Sequence, residues 1–131
     1  MDPIDVSASG LAAQRRRLEV IAENLANAET TRTAEGRPYR RKQVIFSEAL
    51  DAAAEGGVEV EEISEDLSPG KRVYQPGHPD ANDEGYVELP NVSVMQEMVD
   101  MIGATRAYEA NVTALNATKS MIRRALDIGR D

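Results

Sequence analysis

From Asn91 to Gly129 the chain holds no proline, and Val94, Met101, Tyr108, Leu115 and Ile122 recur at intervals of seven. Met98, Thr105, Val112 and Leu126 fill most of the positions four further on. A seven-residue apolar repeat sustained this far predicts a coiled-coil seam rather than a generic amphipathic face. Ser93 with Gln96 forms a capping box at its start. Arg123 and Arg124 fall in the last turns, where the macrodipole favours cations, and Gly129 is placed to cap the end. About 34 helical residues would span about 50 Å. That is too long for a compact domain of 131 residues, so the helix must project from the body or pack along something else.

The other end supplies a partner. Asp2 as N-cap, Pro3 at the first helical position and Asp5 in the first turn open a helix over the first 28 residues. Ile4, Leu11, Leu18 and Leu25 follow at a spacing of seven, with Ile21 and Ala28 three residues after the last two. The seam is thin, because Ser7, Gln14 and Arg15 flank it, and such a helix is marginal alone. The predicted fold class is therefore mainly α. Long N- and C-terminal helices pair as a coiled coil around a small β-rich or extended insert. The segments are 1–30, 31–90 and 91–131, with the two helices forming one composite domain.

The insert changes character along its length. "ETTRTAEGRP" is a turn-rich linker, whereas "YRRKQVIF" and "VEVEEIS" have strand-like composition. "SPGKRVYQPGHP" carries three prolines and two glycines and cannot be regular for long. Residues 48–66 hold eight acids and no base, the pattern of a solvated face. The insert's core is expected from Tyr39, Val44, Phe46, Val58, Val60, Ile63, Val73 and Tyr86.

Composition excludes several classes of function. The net charge of −8 disfavours nucleic acid, whose phosphates need a basic surface. "RPYRRK", residues 37–42, is a local exception and reads as a solvated loop or strand edge. Cysteine is absent, which removes disulfides and Cys-ligated zinc. No apolar run approaches the ~20 residues of a membrane span. The N-terminus shows neither the basic start nor the apolar core of a secretory signal.

Catalytic and metal readings find little support. "DANDEG" imitates a calcium loop at Asp80, Asn82 and Gly85, but Glu84 is too long at the fifth position and Asn91 replaces the required bidentate glutamate. His78 is the only histidine. With Asp80 it could form a base and its orienter, yet a metal site would need two or three more ligands, and no second histidine, phosphate loop or G-x-S-x-G nucleophile motif is present. A structural loop residue is the better reading, and neither a cofactor nor a metal is expected. Asn24, Asn27, Asn111 and Asn116 are poor helix formers placed in helices, which suits residues that set register or, for Asn24 and Asn27, a position near a fraying end. Gly10 and Gly103 would cost about 1 kcal/mol each unless they allow close helix approach. Met95, Met98 and Met101 form an adaptable apolar stripe, expected in the core.

Taken together, the ends resemble the bacterial flagellar rod, hook and hook-associated proteins. "ENLANAETT", with Asn24, Leu25, Ala26, Asn27 and Thr30 or Thr31, is similar to the motif closing their N-terminal helix. Asn91, Val92, Val94, Glu97, Met98, Ile102, Arg106, Tyr108, Asn111 and the closing Leu126-x-Ile128-Gly129 match their C-terminal half. "HPDAN-x-EGYV-x-x-PNV" leading into "EMVDMI-x-A-x-RAYEANV", with the delayed Gly36 and Tyr39, resembles the proximal-rod subfamily. The resemblance implies a structural role in a hollow helical shaft that carries torque and passes export substrates. The implied partners are copies of the chain, neighbouring rod proteins, the inner-membrane ring and the flagellar type III export apparatus, with neither nucleic acid nor a small-molecule substrate. Export without a cleaved signal is implied too, and Phe46 with Leu50 matches the family's Phe-x-x-x-apolar signal. A free-standing coiled-coil adaptor or export chaperone is the alternative, since it would share the helices without the loop motif.

Overall fold

A computed structural model describes residues 3–48 and 58–129. The elements run α1 (Pro3–Ala26), β1 (Lys42–Glu48), β2 (Val58–Glu65), β3 (Arg72–Tyr74), β4 (Tyr86–Glu88) and α2 (Val94–Ile128). The architecture is thus two long helices around a small antiparallel insert. Asp2, expected to cap α1, lies outside the described residues. At the start of α2 the Ser93 side chain accepts from the Gln96 backbone N–H. The reciprocal half of the capping box does not form, because the Gln96 amide donates to Asp100 at 3.0 Å instead. Gly129 caps the other end with ordinary helical torsions, φ −70° and ψ −10°.

The helices lie antiparallel. Asn24 hydrogen-bonds Glu97, and a Cβ added at Gly10 would meet Asn111 Nδ2 at 3.0 Å. Both pairs are separated by two heptads on each helix, so the helices keep step as a coiled coil does. On α2 the facing columns are Met101, Tyr108 and Leu115, with Glu97, Ala104, Asn111 and Thr118 beside them. The expected second column instead turns outward at Met98 and Thr105, and Val94 is also exposed. On α1 the buried residues are Ala13, Val20, Ile21 and Asn24, while Ile4, Leu11, Leu18 and Leu25 are half-buried along one flank. Small or polar groups at the centre of the seam allow close approach, and the leucines close its side.

Two two-stranded sheets make up the insert. β1 pairs with β2, with a bulge between Ile45 and Phe46, and β3 pairs with β4. The first sheet packs on α1. Tyr39, Val87 and Pro90 are the insert's buried apolar side chains among those described, whereas Ile63 and Tyr86, expected in its core, are exposed. The alternation within β4 explains the exchange: Val87 points in, so Tyr86 and Glu88 point out. Phe46 is half-buried. The side chains of Val58 and Val60, and the whole of Leu50, lie outside the described residues.

Candidate functional site

Among the described residues, the most enclosed polar cluster lies where α1, the insert and α2 meet. Asn24 is 1% exposed and Glu97 0%. The Asn24 amide nitrogen donates to Lys42 O at 2.9 Å and to Glu97 Oε2 at 3.1 Å. Its oxygen accepts from Tyr39 Oη at 2.7 Å and from the Lys42 backbone N–H at 2.9 Å. All four hydrogen-bonding positions of the amide are used, which is what makes its burial tolerable.

Arg41 completes the cluster. Its Nε donates to Glu97 Oε1 at 2.5 Å and its guanidinium reaches Asp100 at 3.4 Å. The backbone N–H of Arg41 donates to Asn91 Oδ1 at 2.7 Å, and the Asn91 amide donates to the carbonyls of Asp66 and Ser68. Burial acts against the Arg41 charge, yet the Glu97 hydrogen bond and charge outweigh it and raise the pKa. Burial, aided by the charges of Glu23 and Glu97, pushes the Tyr39 phenol well above its usual value. "RPYRRK" is therefore solvated only in part, at Arg37 and Arg40. Its tyrosine and third arginine, Tyr39 and Arg41, plug the junction between insert and helices, and a buried carboxylate accounts for the cation beside it.

The histidine-bearing loop is a second joint. Residues 75–85 connect β3 to β4, and Asp80 sits where the loop touches the segment after α1. Thr31 Oγ1 donates to Asp80 Oδ2 at 2.6 Å, and Arg32 pairs with the other carboxylate oxygen. The Thr31 hydrogen bond, with help from Arg32, holds the Asp80 carboxyl below the usual carboxylate range. His78 Nδ1 accepts the Asp80 backbone N–H at 2.9 Å, and Asn82 Oδ1 accepts from Glu84 and Tyr86. Gly85 has φ +88°, and a Cβ there would lie 2.7 Å from the Tyr74 ring. That ring packs edge-on to Tyr86, centroids 5.3 Å apart. His78 and Asn82 thus shape the loop, and Asp80 ties it to the segment after α1.

Of the seam residues named from sequence, the structure brings Asn24, Ile21, Met101, Tyr108, Asn111, Val112 and Leu115 to the α1–α2 side. Asn27 accepts from Thr30 and donates to Glu23 O, finishing α1. Met98 (54% exposed), Met95 (77%) and Leu126 (63%) face outward, so the methionine stripe is not a core element of this chain. Gly10 permits close approach, whereas nothing lies within 4 Å of a Cβ at Gly103. Sequence reasoning missed Arg41 and Tyr39 as junction residues. The available signal was the one charged residue, Glu97, standing in an inward heptad column.

Comparison with known proteins places these two helices. A family model described as "Flagella basal body rod protein" matches residues 4–32, and one described as "Flagellar basal body rod FlgEFG protein C-terminal" matches 83–128. The matched segments contain Asn24 and Glu97, and they mark a flagellar axial protein. Proteins named "Flagellar basal-body rod protein FlgC" extend the likeness to nearly the whole chain. That of Borreliella burgdorferi is 48% identical over 143 residues, covering 95% of this chain and 94% of the relative. That of Bacillus subtilis is 49% identical over 144 residues, covering 97% and 96%. That of Escherichia coli O157:H7 is 48% identical over 127 residues, covering 96% and 95%. The chain belongs to the FlgC family of flagellar basal-body rod proteins, and its role is that of a structural rod subunit.

Proposed function

We propose that the chain stacks helically with copies of itself and with neighbouring rod proteins into a hollow shaft that transmits torque. The observation that carries this reading is the coincidence of the two matched segments with the two helices joined by the Asn24–Glu97 junction. Different patches of each subunit meet in an open helical stack, so load is shared among many heterologous contacts. The insert, clamped by Arg41 and Asn91, would turn with the helices as one piece. The role is mechanical rather than enzymatic, and it is exercised in the rod where it crosses the periplasm. Docking against the inner-membrane ring and delivery by the flagellar type III apparatus, without a cleaved leader, belong to the same reading. Phe46, half-buried at the bulge of β1, is the described part of the export signal proposed with Leu50.

Deleting the gene in its host and imaging basal bodies by electron cryotomography tests the reading. The expected result is a basal body without a rod, hook or filament. A complete hook and filament in the deletion strain would overturn it.

A further inference from the structure

α2 outruns its partner. Stepping back from the Gly10–Asn111 and Asn24–Glu97 pairs, the first described residue of α1, Pro3, stands opposite Thr118. Residues 119–128 continue beyond it for about 15 Å at the rise of an α-helix. The heptad columns do not stop there: Ile122 follows Leu115, and Ala125 follows Thr118. Met121, Leu126 and Ile128, at 68%, 63% and 77% exposure, stand beside them. A seam that continues past its intrachain partner is a continuation of an existing interface, left without its second helix among the described residues.

The other end of the same helix carries the complementary surface. Met95, Met98, Val99 and Ile102, spaced as one helical stripe, are all exposed, and a shallow groove runs on past Thr105 to Arg106 and Glu109. The overhang and the stripe cannot meet within one chain. Met98 and Ile122 are 24 positions apart on one continuous helix, about 36 Å. Charge favours their meeting between chains. Residues 119–128 carry Lys119, Arg123 and Arg124 against Asp127, a net of +2, whereas the whole chain is at −8. The remaining residues therefore total −10, so the overhang is a cationic end presented to anionic bodies.

We infer that the C-terminal overhang of α2 docks on the Met95–Met98–Ile102 stripe of a second copy of this chain. The contact is heterologous, since each copy offers one end and one stripe, and it therefore propagates without closing. This deepens the proposed stacking, on which it rests, by naming the two patches that meet. It also accounts for an apolar face that a free monomer would not be expected to leave uncovered.

The chain's lack of cysteine makes a direct test available. The full chain carrying M98C and L126C together replaces the resident copy in its host, and isolated basal bodies are treated with a short bis-maleimide. The expected product is a ladder of covalent dimers and larger species, with each single variant remaining monomeric. Mixing the two single variants in one cell should give dimers only. Dimers from L126C alone would show an end-to-end contact and overturn the inference. Monomers throughout, or crosslinks only to other proteins, would also overturn it while leaving the rod assignment standing. Loss of that assignment would appear separately, as a complete rod in the deletion strain.

Discussion

Asn24 of α1 and Glu97 of α2, 73 positions apart in sequence, share a hydrogen bond sealed from solvent. The same Asn24 amide holds Tyr39 and both backbone groups of Lys42, so one side chain joins both helices and the insert. Removing it strands four partners, two of them buried and two part-buried. N24A is expected to lose about 3 kcal/mol in chemical denaturation, since each unsatisfied buried group costs about 1 kcal/mol or more. N24D should be worse at neutral pH, because it sets a second carboxylate against Glu97. Its deficit relative to wild type should shrink on acidification, as one carboxyl takes a proton and can donate to the other. An N24D deficit independent of pH would contradict this account.

The Arg41 pairings are unequal, and mutation should show it. R41A leaves the Glu97 carboxylate buried without its cation. The expected cost is about 2 kcal/mol, below that of a fully enclosed pair because the Arg41 side chain is 23% exposed. D100A removes only the longer, 3.4 Å pairing and should cost less than about 1 kcal/mol. A double-mutant cycle between Arg41 and Glu97 should therefore give a larger coupling than one between Arg41 and Asp100.

Three glycines should respond differently to alanine. At Gly103, inside a helix with open space around it, alanine should stabilise the isolated chain by about 1 kcal/mol. Gly10 gains the same propensity but brings its Cβ against Asn111, so the gain should largely vanish. Gly85 combines a positive φ with the Tyr74 ring, and G85A should cost about 2 kcal/mol or more. Thermal melts of the three variants would rank them directly.

Asp80 ties the hairpin loop to Thr31 and Arg32, and its folded pKa is lowered. A lowered carboxyl contributes stability that is fully present above the ordinary aspartate value, about 4, and is lost as pH falls through the folded value. D80N should therefore be less stable than wild type at neutral pH, with the difference narrowing in acid below about pH 4. Parallel stability curves for the two proteins from neutral to strongly acid pH would refute the latch.

The elements that read most clearly were those with a local cause. Proline-free heptads predicted both helices, and strand composition marked β1 and β2. Seam detail was less legible. Gly10, Ala13 and Asn24 are weak apolar signals that nonetheless occupy the centre of the α1 interface, because close backbone approach rewards small groups. The methionine stripe misled for the opposite reason: apolar spacing marks a face but does not say whether the partner lies in the same chain. Arg41 reads from sequence as a solvated charge, and only its placement against Glu97 makes a buried pair.

By itself, the sequence determined the two helices, the Ser93 and Gly129 caps of α2, and through its motifs the family, because each depends on residues near one another along the chain. The tertiary structure decided which faces meet. Antiparallel pairing in step sets Gly10 on Asn111 and Asn24 on Glu97, turns Met95 and Met98 outward, and leaves α2 about 15 Å longer than its partner. Those outcomes rest on long-range geometry, where burial of one group is acceptable only once another, far off in sequence, satisfies it.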